Sequence, residues 1–196
     1  MNDIFQGTNI ILDLQEHYKT LSNFATGADE VLIASYGLYA GILHDGRDTT
    51  EWGYKYSNAT HEFLDGLKDT PNVKILIGLS PLTYCDVDKR CSDCETKYIS
   101  QLERLLHTAE HWPKFSWAFT EELHMKFFGM FTAGAPIGGL IGSRNLSDST
   151  WFDVSFKLAG DELLKLRTYY LEVFSGCRPV THEEIEKVEN KILGPG

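Results

Sequence analysis

The sequence predicts an α/β fold, a single domain in which a mixed β-sheet is flanked by helices. Short apolar segments typical of buried strands occupy residues 30–35 and 73–78. Segments with apolar residues at helical spacing lie before, between and after them. Strand-like segments follow one another closely later in the chain, and this order favours an α/β or mixed sheet with helices on its faces.

The first half of the chain alternates between helix and strand patterns. Apolar residues recur every three or four positions in three segments, which predicts helices, and apolar runs bounded by polar residues predict the strands between them. The predicted order is helix 7–28, strand 30–35, helix 60–67, strand 73–78 and helix 96–109. Residues 80–95 are expected to form a long loop.

The second half is richer in strands. Predicted strands cover residues 114–120, 124–131, 138–142 and 153–158. Helices are predicted from 161 to 174 and from 181 to 193, the second starting at the capping-box pattern Thr181-His-Glu-Glu184. The aromatic residues Trp112, Phe115, Trp117 and Phe119 are interpreted mainly as core.

Length and composition are consistent with one globular domain spanning residues 1–196. Hydrophobic residues make up 42% and charged residues 23% of the 196 positions. No stretch approaches the roughly 18 consecutive apolar residues of a membrane span. The first residues lack a basic segment followed by an apolar run, so no secretory signal is predicted and a cytoplasmic location is expected.

The formal net charge of −10 gives no general attraction to nucleic acid or to anionic membranes. Part of the acidity is concentrated in the last predicted helix, at Glu183, Glu184, Glu186 and Glu189. A polyanionic substrate would therefore have to be bound by a local group of donors and cations.

Two short motifs bring together residue types suited to phosphate chemistry. His124 and Lys126 would share a face if a strand begins at His124, because side chains alternate along a strand. Ser143 and Asn145 would likewise share a face at the end of the next strand. The glycine-rich connection at 134–139 would make these strands neighbours, so that an imidazole, an ammonium, a hydroxyl and an amide converge.

This set of groups can act on a phosphate ester. A neutral imidazole is a competent nucleophile near pH 7, and a lysine neutralises phosphate oxygens. Hydroxyl and amide donors add hydrogen bonds that matter most where negative charge grows in the transition state. Each motif alone is common, as an exposed strand or as a turn after a strand. Their pairing within about twenty residues favours a functional site.

The pattern His124-x-Lys126 followed by Gly142-Ser143-x-Asn145 resembles the phospholipase D superfamily. The resemblance covers roughly residues 30–175. It implies a metal-independent phosphodiesterase in which one histidine forms a phosphohistidine and a second acts as general acid. It also implies that lysine and asparagine hold the phosphate.

The chain departs from the full family pattern in two respects. The position five residues after Lys126, where the pattern has aspartate, is Phe131. Asp153 is the candidate acidic partner of a histidine, with Glu121 or Glu122 as alternatives. The motif also occurs once, whereas the mechanism needs two histidines, so the resemblance implies a homodimer with one site across a two-fold axis.

Three functions remain open from the sequence. Single-motif members of the superfamily are typically nucleases, which favours cleavage of DNA or RNA. A phospholipid or a nucleotide is an alternative substrate, and the acidic charge is more compatible with it than with a generic DNA binder. A degenerate, non-catalytic binding module is the third possibility, suggested by Phe131.

The cysteines form a separate candidate site. Cys85, Cys91 and Cys94 lie in one polar segment, and Cys177 is far away in sequence. Together they could hold a structural zinc or an iron–sulfur cluster, with His107 or His111 as other possible zinc ligands. Reduced free thiols are the competing interpretation.

Overall fold

The computed structural model describes residues 9–36, 38–39, 59–79, 92–147 and 153–193. Within these ranges the chain forms ten strands and five helices. In chain order they are β1 (Ile10–Ile11), α1 (Leu14–Ala25), β2 (Glu30–Tyr36), β3 (Leu38–Tyr39), α2 (Ala59–Gly66), β4 (Asn72–Gly78), α3 (Ser92–His111), β5 (Ser116–Thr120), β6 (Phe127–Thr132), β7 (Ala135–Gly142), β8 (Leu146–Ser147), β9 (Ser155–Leu158), α4 (Gly160–Gly176), β10 (Arg178–Pro179) and α5 (His182–Leu193).

Eight of the strands form one mixed sheet in the order β1-β9-β7-β6-β2-β4-β5-β10. Strands β2, β4 and β5 are parallel neighbours, and every other pairing in this sheet is antiparallel. β3 and β8 form a separate two-stranded parallel pair. The predicted α/β fold with a mixed sheet and flanking helices is therefore confirmed.

Side chains alternate between the two faces of the central strands, and both faces are buried. On one face Val31 and Ile33 of β2 join the larger core, which includes residues of α1, α2, α3 and α5. On the other face Leu32 and Ala34 pack with Leu163 and Tyr170 of α4. Because helices cover both faces, the near-continuous apolar pattern of residues 30–35 is what a central parallel strand requires.

The N-terminal helix is shorter than predicted. Ile10 and Ile11 pair with β9 as strand β1, and the helix begins only at Leu14. Asp13 ends the extended segment and caps the helix, since its carboxylate accepts a hydrogen bond from the Glu16 amide at 2.9 Å. The apolar spacing through residues 10–14 fits a strand as well as a helix. The Asp13 cap determines where the strand ends and the helix begins.

The connection between β6 and β7 is a tight hairpin rather than the longer glycine-rich segment that the sequence suggested. Ala133 and Gly134 both have positive φ, 47° and 77°, and residues from Ala135 onward already belong to β7. Two central residues with positive φ are typical of a type I′ turn, whose twist suits antiparallel strands. The strands are neighbours as predicted, paired from Phe127 to Thr132.

The segment predicted as a loop at 80–95 is partly helical, because α3 begins at Ser92. Cys94 therefore lies on the first turn of α3, while Cys85 and Cys91 lie outside the described residues. The four aromatic residues at 112, 115, 117 and 119 are all buried, as predicted. In the described ranges, no helix combines the length and the apolar character needed to cross a membrane.

Candidate active site

The candidate residues gather at one edge of the sheet, where the parallel strands β2, β4 and β5 end. β6 runs antiparallel to β2, with Phe127 opposite Ala34, so the residues that precede Phe127 lie beside the end of β2. A Cβ on Gly78, the last residue of β4, would lie 2.4 Å from the Leu123 carbonyl oxygen. Glycine at 78 thus lets the segment that carries His124 pass directly over the end of β4.

His124 and Lys126 precede β6 instead of beginning it, because the strand starts at Phe127. The prediction that they are two residues on one face of a strand is therefore wrong, yet their side chains meet. The Lys126 Nζ lies 3.1 Å from His124 Nδ1 and donates a second hydrogen bond to the His124 carbonyl oxygen at 3.1 Å. This contact is closer than strand alternation alone requires.

Lys126 is buried, whereas His124 is exposed. Burial lowers the pKa of Lys126, and Tyr36 and Asp153 act in the opposite direction. The Tyr36 ring, at the end of β2, lies 5.2 Å from the Lys126 ammonium and 4.8 Å from the His124 ring, centroid to centroid. Tyr36 is a contact that the motif search missed; its only sequence signal is its position at the end of a buried strand.

The second motif is joined to the first through the backbone. The Gly142 amide donates to the Lys126 carbonyl oxygen at 3.2 Å, and the Ser143 amide donates to the Val154 carbonyl oxygen at 2.9 Å. A Cβ on Gly142 would lie 1.9 Å from that same Val154 oxygen. Only glycine allows β7 to end this close to the start of β9, and this approach sets Ser143 beside Asp153.

Ser143 and Asp153 form a direct pair. The Ser143 hydroxyl donates to Asp153 Oδ1 at 2.9 Å and accepts from the Val154 amide at 3.0 Å. Asp153 is also close enough to favour the charged form of Lys126. The acidic residue predicted to orient a histidine therefore contacts the motif serine.

Asn145 and Arg144 are less exposed than their sequence context suggests. The Asn145 carbonyl oxygen Oδ1 is buried and has no hydrogen-bond partner among the described residues. Arg144 is only 2% exposed and donates to the carbonyl oxygens of Leu12 and Asp153. The backbone amide of Leu146, which follows Asn145, donates to Ser35 Oγ at 2.6 Å. This hydrogen bond fixes the segment against β2.

Phe131, where the family pattern has aspartate, lies at the opposite edge of the sheet. It is fully buried and pairs with Glu30, the first residue of β2. The guanidinium of Arg167 sits 5.4 Å from its ring centroid and forms an ion pair with Glu30. Most of the length of β6 separates residue 131 from His124, and a strand rises about 3.3 Å per residue. An aspartate at position 131 could therefore not contact His124 of the same chain.

The alternative acidic partners differ in their surroundings. Glu121 accepts a hydrogen bond from the Tyr98 hydroxyl at 2.8 Å. Burial and this carboxylate raise the pKa of Tyr98 well above its usual range. Glu122 is exposed, and its backbone amide donates to Thr120 Oγ1. The hydroxyl of Tyr98 thus fixes the Glu121 side chain against α3.

A second histidine lies beneath the site and was missed by the motif search. His17 of α1 is fully buried, with Nδ1 3.0 Å from Ser155 Oγ of β9. Burial, and after it the positive charge of Arg144, lowers the pKa of His17 to about 3. The imidazole is neutral near pH 7 and ties α1 to the strand that follows Asp153.

The candidate cysteine site is only partly within the described residues. Cys177 follows α4, packs with the apolar residues of the α4 face and donates its thiol to the Val173 carbonyl oxygen at 3.1 Å. Burial raises the pKa of this thiol. α3, which carries Cys94, packs on the opposite face of the sheet. The metal assignment for Cys85, Cys91, Cys94 and Cys177 stays a prediction.

No protein-family model matches this chain, and no curated protein matches it. Among solved structures, one similar chain is TrmBL2, described as an archaeal chromatin protein with a novel mode of DNA binding. The match has a TM-score of 0.46 and 8% sequence identity, and it covers 86% of this chain and 52% of TrmBL2. The chain thus spans about half the length of that structure. A similarity this weak transfers no function.

Proposed function

We propose that this chain is a metal-independent phosphodiesterase that cleaves DNA or RNA, with His124 as the nucleophile. A second copy of the chain supplies the other histidine. The observation that carries the proposal is the contact of the buried Lys126 ammonium with His124 Nδ1. It supports the proposal because it places a cation and a nucleophile where one phosphate group can touch both.

The contact also suggests how substrate could activate the histidine. When a charged Lys126 donates to Nδ1, the ring proton of His124 is on Nε2, and that nitrogen cannot attack. A phosphate oxygen that takes over the Lys126 hydrogen bond releases Nδ1. The proton can then move to Nδ1 and leave the Nε2 lone pair free. Substrate binding and activation of the nucleophile are thereby coupled.

The remaining residues would bind the phosphate. The Ser143 hydroxyl and the Asn145 amide nitrogen can donate to non-bridging oxygens, and Lys126 neutralises the charge that grows on them. Asp153 holds Ser143 in place through the 2.9 Å hydrogen bond. A phosphate that binds Ser143 would compete for this hydroxyl proton, so the serine would have to turn from Asp153 toward the substrate.

The reaction would proceed in two displacements. His124 Nε2 forms a bond to phosphorus while the ester P–O bond breaks, and the leaving oxygen takes a proton from the protonated His124 of the second copy. The imidazole of the second copy then takes a proton from water. The resulting hydroxide attacks phosphorus, and the P–N bond breaks. The products are a phosphomonoester and an alcohol, and both histidines return to their starting states.

Cleavage in the presence of a chelator tests this proposal. The substrates would be single- and double-stranded DNA, RNA and a chromogenic phosphodiester, all with EDTA. His124→Ala should lower the rate by a factor of about 10³ or more, because no other group replaces the nucleophile. His182→Ala is the matched control, since that imidazole is exposed on α5 and pairs with Glu110. Equal rates for both variants and the wild-type chain would reject the proposal.

The acidic charge supports a small phosphodiester as a second candidate substrate. A net charge of −10 repels a long polyanion more than it repels a phospholipid headgroup or a nucleotide. The same catalytic residues would act on either. Activity on a lipid or nucleotide panel, with none on nucleic acid, would select this alternative.

The engagement of the His124 Nδ1 lone pair by Lys126 is also compatible with a non-catalytic phosphate-binding module. A chain that keeps this contact after phosphate binds would hold a phosphodiester without cleaving it. Saturable binding of a short oligonucleotide with no cleavage, in a wild-type chain that is folded and dimeric, would support this alternative.

A further inference from the structure

We infer a divalent transition-metal site formed by His61 and Asp65 of α2 and His111 at the end of α3. One ligand atom from each of the three side chains lies within 4.8 Å of the others. The group contains none of the candidate active-site residues, and among the described residues it includes no cysteine. Its ligand set of two imidazoles and one carboxylate is typical of zinc and of neighbouring first-row metals.

The local sequence explains why the three side chains meet. His61 and Asp65 are four residues apart on α2 and therefore project from the same side of that helix. His111 is the last residue of α3, so no further turn of this helix lies beside its side chain. The two imidazole rings lie 5.4 Å apart, centroid to centroid.

Trp112 holds all three candidate ligands. It is 4% exposed, and its ring lies 5.3 Å from the His61 ring and 4.7 Å from the His111 ring, centroid to centroid. Its indole nitrogen donates to Asp65 Oδ1 at 3.1 Å. Such a hydrogen bond orients a ligating carboxylate in many metal sites and leaves the other oxygen available. The Trp112 ring thus packs against both histidines, and its indole nitrogen orients the Asp65 carboxylate.

The distances suit a metal after a small adjustment. Donor atoms around a tetrahedral zinc are about 3.3–3.6 Å apart, from zinc–ligand bonds of about 2.0–2.2 Å. A set within 4.8 Å reaches this spacing by side-chain rotation. His61 and Asp65 are partly exposed and His111 is exposed, so an ion can enter from solvent and keep water at its fourth position.

The position in the fold places the ion away from the candidate active site and between two helices. α2 ends before β4, and α3 ends before β5, so the group lies toward the edge where these parallel strands begin. His124 lies at the opposite edge, where they end. An ion bound to His61, Asp65 and His111 would cross-link α2 to α3 through side chains that also touch the core at Trp112. Because the ion binds the folded arrangement, it should raise the stability of the domain.

Zinc titration of the 196-residue chain, stripped of metal with chelator and then desalted, tests the inference. The variants are His111→Ala and Asp65→Asn, with His182→Ala, an exposed histidine on α5, as the control. Asn at 65 keeps an acceptor for Trp112 but loses the anionic ligand. We expect the melting temperature of the wild-type chain to rise with zinc. Each ligand variant should weaken zinc binding at least tenfold, and His182→Ala should leave it unchanged.

Asp65→Asn separates this site from one built on the cysteines. If His111 instead completed a cysteine site, His111→Ala would weaken zinc binding and Asp65→Asn would not, and the inference would be overturned. A folded wild-type chain that binds no zinc would overturn it as well. Circular dichroism and urea unfolding without metal show that each variant is folded, so loss of binding cannot be attributed to loss of structure.

Discussion

The Lys126 ammonium lies 3.1 Å from two atoms of His124, the ring nitrogen Nδ1 and the backbone carbonyl oxygen. A lysine that binds both atoms fixes the ring orientation of an otherwise exposed histidine. Because Nδ1 faces Lys126, the Nε2 edge of the ring points away from it. The proposed chemistry depends on breaking the Nδ1 contact when a phosphate binds.

Lys126→Met should therefore lower the cleavage rate and alter the environment of the His124 ring. Loss of the ammonium should lower the cleavage rate by about 10²–10³, the usual effect of removing one donor to a developing oxyanion. In the free chain, the ¹⁵N chemical shift of His124 Nδ1 should show that this nitrogen accepts a hydrogen bond, and the variant should lose that shift. Lys187→Met is the control, because Lys187 is exposed and pairs with Glu183. An unchanged Nδ1 chemical shift in Lys126→Met would contradict the assigned contact.

Gly142→Ala should destabilise the fold. The added Cβ would meet the Val154 carbonyl oxygen at 1.9 Å, so β7 and the start of β9 must separate. We expect a loss of about 1–3 kcal/mol or more in the free energy of unfolding, measured in urea. At Gly176, in the last turn of α4, a Cβ would meet nothing within 4 Å. Gly176→Ala should be neutral or stabilise by up to about 1 kcal/mol. Equal effects at the two positions would refute this account of Gly142.

His17 should make stability fall on acidification. Its pKa is lowered to about 3 in the folded chain, against about 6.5 when unfolded, so between these values only the unfolded chain binds the proton. Its contribution to stability is fully present above about pH 6.5 and is lost at roughly 1.4 kcal/mol per pH unit as pH falls toward 3. Urea unfolding between pH 6.5 and 4.5 should give a shallower dependence in His17→Gln. Identical slopes would show that His17 titrates normally in the folded chain.

Mixed dimers test whether one site needs two copies of His124. Wild-type and His124→Ala chains would be mixed in equal amounts in denaturant and refolded together. If both histidines serve one site, only the dimers with two wild-type chains are active. About one quarter of the activity of the same total amount of wild-type chain should then remain. Independent active sites would leave about one half. His182→Ala mixed in the same way should leave full activity.

The sheet was predictable from the sequence because its strands carry their own signals. The apolar run at residues 30–35 corresponds to β2, and that at 73–78 to β4. The helix predicted at 161–174 corresponds to α4. The start of α5 was predicted from Thr181, whose hydroxyl accepts from the Glu184 amide at 3.2 Å, the first half of a capping box. Local burial and local capping determine these elements, so the local sequence is sufficient to predict them.

The geometry of the candidate site was only partly predictable. Proximity of the two motifs follows from the β6–β7 hairpin, and the sequence indicated it. The sequence could not show that β6 starts three residues after His124, because Met125 and Lys126 fit a strand as well as an extended loop. Tyr36 and the pairing of Ser143 with Asp153 depend on contacts across the sheet edge. No spacing along the chain encodes them.

The most direct test of the proposed function is to isolate the covalent intermediate. Wild-type chain would be mixed with a labelled phosphodiester in EDTA, quenched in alkali, where phosphohistidine survives, and analysed by peptide mass spectrometry. The account predicts a phosphoryl adduct on His124, absent from His124→Ala and retained in His182→Ala. Cleavage by the wild-type chain without an adduct on His124, or with an adduct on another residue, would contradict it.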